Sequence, residues 1–315
     1  MKKKLLIASI LLALCLLPLC LSGCFATLAY KIVVVENSYD DFSTFENIEI
    51  NTLTADVSIR ISSNGKNSVA CSELKGFEHN VSVTDNTLVI TQPEADKWYE
   101  KAYTLTRSSI VIFLNENKFD TLTINGKNGS VYSHSVLTFN NVSIHLNSGN
   151  VEWDSDVLNN FTVEVKKGNV KLEDATLNLA KIEAETGDVE ALNCSISNQI
   201  ILDINTGDVF INECDLNCSN ATIKTGYVNF SNVIAKSQIF VSVESGGIYF
   251  TSCDASHIDA IVKYGNIKAS FLSGKKINAN APDGNIDIPE NSDGGDCNLS
   301  TNTGSIKVEI IPREE

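Results

Sequence analysis

The chain has no CxxC pair with metal-ligand spacing and no serine or cysteine set in a nucleophile-elbow motif. Its four histidines, His79, His134, His145 and His257, fall at unrelated positions. These absences exclude a thiolate-pair metal centre and elbow-type acyl transfer, and no catalytic residue is assigned. Positive charge is scarce as well: 24 Lys and Arg face 39 Asp and Glu, a net charge of −15. Residues 1–23 hold three lysines and no acid, so a chain without them carries 21 basic against 39 acidic residues, a net of −18. Such a surface repels phosphate backbones and anionic headgroups, and nucleic acid is not expected as a partner.

What the chain does have is glycine at a fixed interval. Gly129, Gly149, Gly168, Gly187, Gly207, Gly226, Gly246, Gly265, Gly284 and Gly304 follow one another at 19 or 20 residues. Two residues after each stands a β-branched apolar residue: Val131, Val151, Val170, Val189, Val209, Val228, Ile248, Ile267, Ile286 and Ile306. A period of this length marks a chain wound into stacked coils, each too small to bury its own apolar face. Positions five and three before the glycine and two and four after it are mostly apolar, as in Ile144, Leu146, Val151 and Trp153. That period-two alternation means strands with one face inward. Corners such as Thr186-Gly187-Asp188 use glycine for positive φ and Asn or Asp for tolerance of it. A less regular third segment, with Leu177, Ile196, Leu216 and Ile234, closes each coil. Ten coils at about 4.8 Å per strand give a rod on the order of 50 Å long. The fold expected is all-β, a parallel β-solenoid over residues 126–312.

Residues 41–125 are β-rich but off the period, with Ile48-Glu49-Ile50, Val57-Ser58-Ile59 and Leu88-Val89-Ile90, and read as the irregular cap that hides the first coil's edge. Within it, Trp98, Tyr99 and Tyr103 sit among charged residues, where they either stack on a sugar ring or fold back over the solenoid's end. Lys2, Lys3 and Lys4 followed by an apolar run from Leu5 to Leu21 read as an export signal over residues 1–23, or as part of a membrane anchor. Leu21-Ser22-Gly23-Cys24 fits a bacterial lipobox, which makes Cys24 the lipid-anchor residue and residues 24–40 a tether. The apolar stretch continues through Phe25 to Tyr30 and is long enough to span hydrocarbon uncleaved. Plain secretion, with Cys24 incidental, is a third reading. All three place the chain outside the cytoplasm, and the first two hold it at the envelope.

Three outward rows invite chemistry. Four residues before the glycine stand His145, Glu164, Glu183 and Asp203, and carboxylates at strand spacing repel unless protonated, hydrated or bridged by a cation such as Ca²⁺. Glu164, Glu183 and Asp203 are therefore a weak calcium candidate beside the simpler reading of a solvated acidic stripe. Two residues before it the signs are mixed, Lys127, Asn147, Lys166, Glu185, Asn205, Lys224, Glu244, Lys263, which suggests cross-strand pairing that keeps the stack in register. The corner row Asn150, Asn169, Asp188, Asp208, Asn266, Asn285 is explained by turn chemistry. Cys194, Cys214 and Cys253 share one position with Ala175 and Val233 and read as a buried ladder of small side chains, with a Cys194–Cys214 disulfide as the alternative.

The T-G-D-V repeats at 186–189 and 206–209, Thr54-Ala55-Asp56-Val57, the strand 85–90 and the terminal 294–306 stretch together resemble the bacterial "putative adhesin" family of β-strand-repeat envelope proteins. The resemblance covers nearly everything after residue 40. It implies a right-handed solenoid displayed at the cell envelope and supplies no catalytic or ligand residues. Tyr227 and Gly247, where the corner acid would stand, depart from the pattern. The function expected is non-enzymatic binding of a surface glycan, polymer or protein. The alternatives are a structural or sensory envelope component that binds a partner in its own cell, and a β-helix enzyme acting on polysaccharide.

Overall fold

The computed structural model describes residues 33–40, 42, 44–93, 108–133, 136–290 and 293–311. They form one 24-stranded parallel solenoid with antiparallel additions at its N-terminal end, and contain no helix. Each coil has a long strand before the repeat glycine and a short one after it. The long strands β8 (Lys118–Asn128), β10 (Thr138–Ser148), β12 (Asp156–Lys167), β14 (Thr176–Thr186), β16 (Ser195–Thr206), β18 (Asp215–Ser231) and β19 (Ile234–Tyr264) pair in sequence, β18 and β19 running on through their corners. Beside them lie β9 (Val131–Ser133), β11 (Val151–Trp153), β13 (Val170–Glu173), β15 (Val189–Leu192) and β17 (Val209–Asn212), continued by the later parts of β18 and β19. The register equals the sequence period: Ile144 faces Val163, Val163 faces Ile182, and Ile182 faces Leu202.

The inward positions are buried as the alternation requires, and they fuse into one core running the length of the molecule. Inside it aromatic rings stack from coil to coil. Phe45, Phe119, Phe139, Trp153 and Phe161 follow at centroid spacings of 5.9, 6.0, 5.7 and 5.3 Å, and Phe230, Phe250 and Phe271 at 5.5 and 5.7 Å. Each fully buried ring removes enough apolar surface to contribute roughly 2–3 kcal/mol. The third segment is no separate strand. Leu177, Ile196 and Leu216 open the following long strand and are joined to the rest of it through a register shift. Ile234 is half-buried and pairs with Asp215, while its neighbour Ala235 faces Leu216 and takes the inward place.

The ends break sequence order. β23 (Gly295–Thr303), the last long strand, pairs with β19 on one side and with β21 (Lys275–Asn280) on the other. β24 (Ile306–Ile310) likewise lies between β20 (Ile267–Phe271) and β22 (Ile286–Asp287). The final coil is thus inserted beneath the one before it, and the coil of Gly284 becomes the end of the stack. Ile286, apolar by the repeat, is consequently 44% exposed.

The N-terminal end mirrors this. β2 (Asn47–Thr52) sits between β8 and β6 (Thr87–Thr91), and β3 (Ala55–Ile61) sits between β9 and β7 (Ser108–Leu114). The stretch read as an irregular cap supplies two further rungs of the stack. Antiparallel strands finish it: β5 (Asn80–Thr84) on β6, and β4 (Ser68–Leu74) on β7, with β1 (Val34–Tyr39), inside the segment read as tether, on β4. At the C-terminal end the last strands are hydrogen-bonded on two sides and the short β22 takes the edge, whereas at the N-terminal end β1 and β5 are edge strands.

Two corners fix each coil. At the glycine corner φ is +144 to +149° from Gly129 to Gly265, and a Cβ on Gly207 would stand 1.9 Å from the carbonyl oxygen of Gly187. Glycine is required there by close backbone approach as well as by φ. The second corner lies six residues on, at Asp174, Asn193, Glu213, Asn232 and Ser252, all with φ between 52 and 55°. The sequence pattern does not announce it, because Glu and Ser are not left-handed formers; the burial of the next residue, Ala175, Cys194, Cys214, Val233 or Cys253, holds the bend.

Candidate functional site

Outward side chains of the long-strand wall build an open groove. Its two rims are the rows four and two residues before the glycine, and its floor is the backbone of Gly126, Leu146, Val165 and Ala184 between them. The first stretch, about 690 Å³, runs from Asn51, Thr52 and Gln92 past Asn125 to His145, Glu164, Glu183 and Asp203, opposite Asn147, Lys166, Glu185 and Asn205. A second stretch of about 460 Å³ shares Asp203 and Asn205 and continues along Thr222, Lys224, Ser242, Glu244, Ile261 and Lys263. The sequence rows are therefore the lips of one continuous depression.

Ion pairs run along the rims rather than across the groove, and of the row two before the glycine Glu244 and Lys263 pair from strand to strand. His145 Nε2 lies 3.5 Å from Glu164 Oε2, Lys181 Nζ 2.5 Å from Glu183 Oε1, and Lys263 Nζ 3.2 Å from Glu244 Oε1. Donation to Glu183 and Glu244 raises the pKa of Lys181 and Lys263. These pairs stand in water, where screening leaves them little weight in stability. Among the described residues, the ligand atoms of Glu164, Glu183 and Asp203 do not gather as tightly as those of a different group, Cys71, Glu73 and His79.

That group is buried at the N-terminal end. His79 Nδ1 lies 2.5 Å from Glu73 Oε2, His79 Nε2 3.3 Å from Thr52 Oγ1, and Asn37 donates to Glu73 Oε1 at 2.7 Å. Glu73 and His79 thus form a satisfied interior pair that ties β4 to β1 and β2. The histidines are unrelated in the repeat, yet each described one meets a carboxylate, His257 through Asp259 at 2.9 Å.

Among the described cysteines burial raises the pKa of most thiols, while the hydrogen bond with Cys214 lowers that of the buried Cys194. Burial, with Glu73 and Glu36 nearby, pushes the Cys71 thiol up to about 12; burial leads for Cys253, at about 11, and Cys297, at about 12. Cys194 and Cys214 are buried on adjacent rungs as free thiols, the Cys194 amide donating to Cys214 Sγ at 3.4 Å. Ser143 Oγ reaches His145 Nδ1 only at 3.5 Å, so the string Ser143, His145, Glu164 sits at the outer limit of hydrogen bonding at both links.

The corner row does more than turn. Asn150 Oδ1 accepts from the Asn169 amide, Asn169 from Asp188, Asp188 from Asp208 and Asp208 from Tyr227, at 2.8 to 3.0 Å. Asp56 and Ser130 extend this relay one way, and Asn266, Ser305 and Asn285 resume it at the other end in the inserted order. Cys24, Trp98, Tyr99 and Tyr103 lie outside the described residues; the described chain stops at Pro93, next to Gln92 at the groove's end.

Fold and wall together define a solenoid repeat protein with an open polar groove. A family model, Toastrack DUF4097, matches residues 45–246 and 197–315, and the chain belongs to that family. Among solved structures it is similar to a "putative lipid binding protein" from Parabacteroides distasonis, at 16% identity over 88% of this chain and 96% of that one, TM-score 0.52. It is also similar to a "putative adhesin" from Bacteroides fragilis, at 17% identity over 88% and 97%, TM-score 0.42. No curated protein matches.

Proposed function

We propose that this chain is an exported, envelope-anchored solenoid that binds a surface polymer, glycan or protein along its groove and carries out no chemistry on it. The observation that carries the reading is the groove itself: open, lined largely by polar and charged side chains, and running across successive rungs. An open trough of fixed spacing suits an extended repetitive ligand better than a small substrate, which needs enclosure. The thiols of Cys71, Cys253 and Cys297 are buried in the core with raised pKa, Cys194 is buried there too, and Ser143, His145 and Glu164 are only loosely strung, so the groove offers no activated nucleophile among the described residues. The N-terminal segment supplies the tether, by a lipid on Cys24 or by a membrane span.

The test is retention of residues 31–315 on immobilised host glycans, mucin and the producer's own wall polymers, with calcium and with chelator. Saturable retention on host material is the expected result, and its loss in chelator would assign calcium to Glu164, Glu183 and Asp203. Retention on the producer's wall alone would instead favour a structural or sensory role within its own envelope, and release of shortened glycan would establish an enzyme.

A further inference from the structure

The corner relay stops at two successive rungs, which carry the exposed Tyr227 and the half-buried Tyr249. The Tyr227 amide donates to Asp208 Oδ1 at 2.8 Å, but its own side chain has no carbonyl to continue the relay, and Gly247 follows it. Tyr227 is 50% exposed, and its ring centroid lies 6.1 Å from that of Tyr249. A Cβ at Gly247 would stand 3.2 Å from Tyr249 Oη and 3.3 Å from Cε2, so glycine leaves space for the Tyr249 ring. Tyr249 belongs to the outward row of the short-strand wall, where Phe210, Asn229, Tyr249 and Lys268 occupy consecutive rungs. Phe210 is 41% exposed, and Asn229 Oδ1, between the two rings, is buried with no hydrogen-bond partner. The same row carries Glu152, Lys171 and Glu190 elsewhere, so stacking of coils does not require aromatics here.

We propose that Phe210, Tyr227 and Tyr249 form a stacking platform for a glycan chain, with the Asn229 amide and the Lys268 ammonium as its polar contacts. Sugar rings combine C–H faces, which lie against aromatic rings, with hydroxyl donors for an unmet carbonyl. An aliphatic lipid chain would leave that acceptor and both phenols unpaired, which is unfavourable once water is excluded. At about 4.8 Å per rung, Phe210 and Tyr249 stand roughly 9.6 Å apart, room for successive sugars of one chain. The platform lies on the short-strand wall, apart from the groove, and does not depend on it.

The experiment titrates the full-length chain, extracted in detergent, with cellohexaose, chitohexaose and an alginate oligomer, and with phosphatidylglycerol vesicles as a control. Saturable binding to at least one oligosaccharide is expected, weakened roughly three- to tenfold by Phe210→Ser or Tyr249→Ser. Tyr227→Asn writes in the residue other corners use; it should weaken binding while leaving the melting temperature at or above that of the parent. Binding to none of the oligosaccharides, or to vesicles alone, overturns the proposal. Binding unchanged in these three variants but lost in Glu183→Gln overturns it too, and leaves the groove reading standing.

Discussion

Gly207 shows what one atom decides in this molecule. Its φ of +149° and the Gly187 carbonyl 1.9 Å from where a Cβ would stand mean that Gly207→Ala must push neighbouring coils apart. The expected cost is at least about 2 kcal/mol, read as a lower urea midpoint; an unchanged midpoint would show that the corner is slack. The thiols set an alkaline limit. Cys71, Cys253 and Cys297 titrate at about 12, 11 and 12 when folded, against 9.0 for an ordinary thiol. Below pH 9 both states keep these protons and the stabilisation is complete. Between pH 9 and 11 the unfolded chain releases them first, so stability falls as pH rises. Replacing the three cysteines by alanine should flatten that fall in urea midpoints measured from pH 8 to 11, and an equally steep fall would refute this cause. At this scale the sequence was informative for core positions, because Val, Ile and glycine recur in phase. It was silent on Asp174 to Ser252 as a second corner, because there burial of the following residue, rather than the corner residue's own preference, dictates the conformation.

Among elements, the stacking order carries the least expected consequence. β23 comes last in the sequence but lies inside the stack, bonded to β19 and β21, whereas β22 is two residues long at the edge. Amide exchange should therefore be slow in Leu299 and Thr301, as in β16, and fast in Ile286 and Asp287. Fraying from β23 inward would contradict the inserted order. No periodicity could have revealed it: the repeat at Gly284 and that at Gly304 have equivalent strands, and only the hydrogen bonds decide which sits on which. The outward rows were legible for the opposite reason, since register equals period, so His145, Glu164, Glu183 and Asp203 align as written. That those rows bound a groove depends on how far their side chains stand above the backbone floor, which the pattern of polar residues does not encode.

For the whole molecule, the uninterrupted core, the corner relay and the inserted last coil make a rod whose two walls face outward at fixed spacing. An acidic rod of this kind repels anionic surfaces at long range, and the groove and the aromatic rungs are where a proposed ligand would meet it. If that surface binds something beyond its own cell, the producer's attachment depends on it. Attachment of producer cells to mucin-coated and glycan-coated surfaces, compared with cells lacking the chain, tests this most directly. Attachment should fall in the deletion strain while envelope-stress reporters stay quiet, and the intact chain should restore it. Undiminished attachment with a rise in envelope stress would contradict the adhesive role.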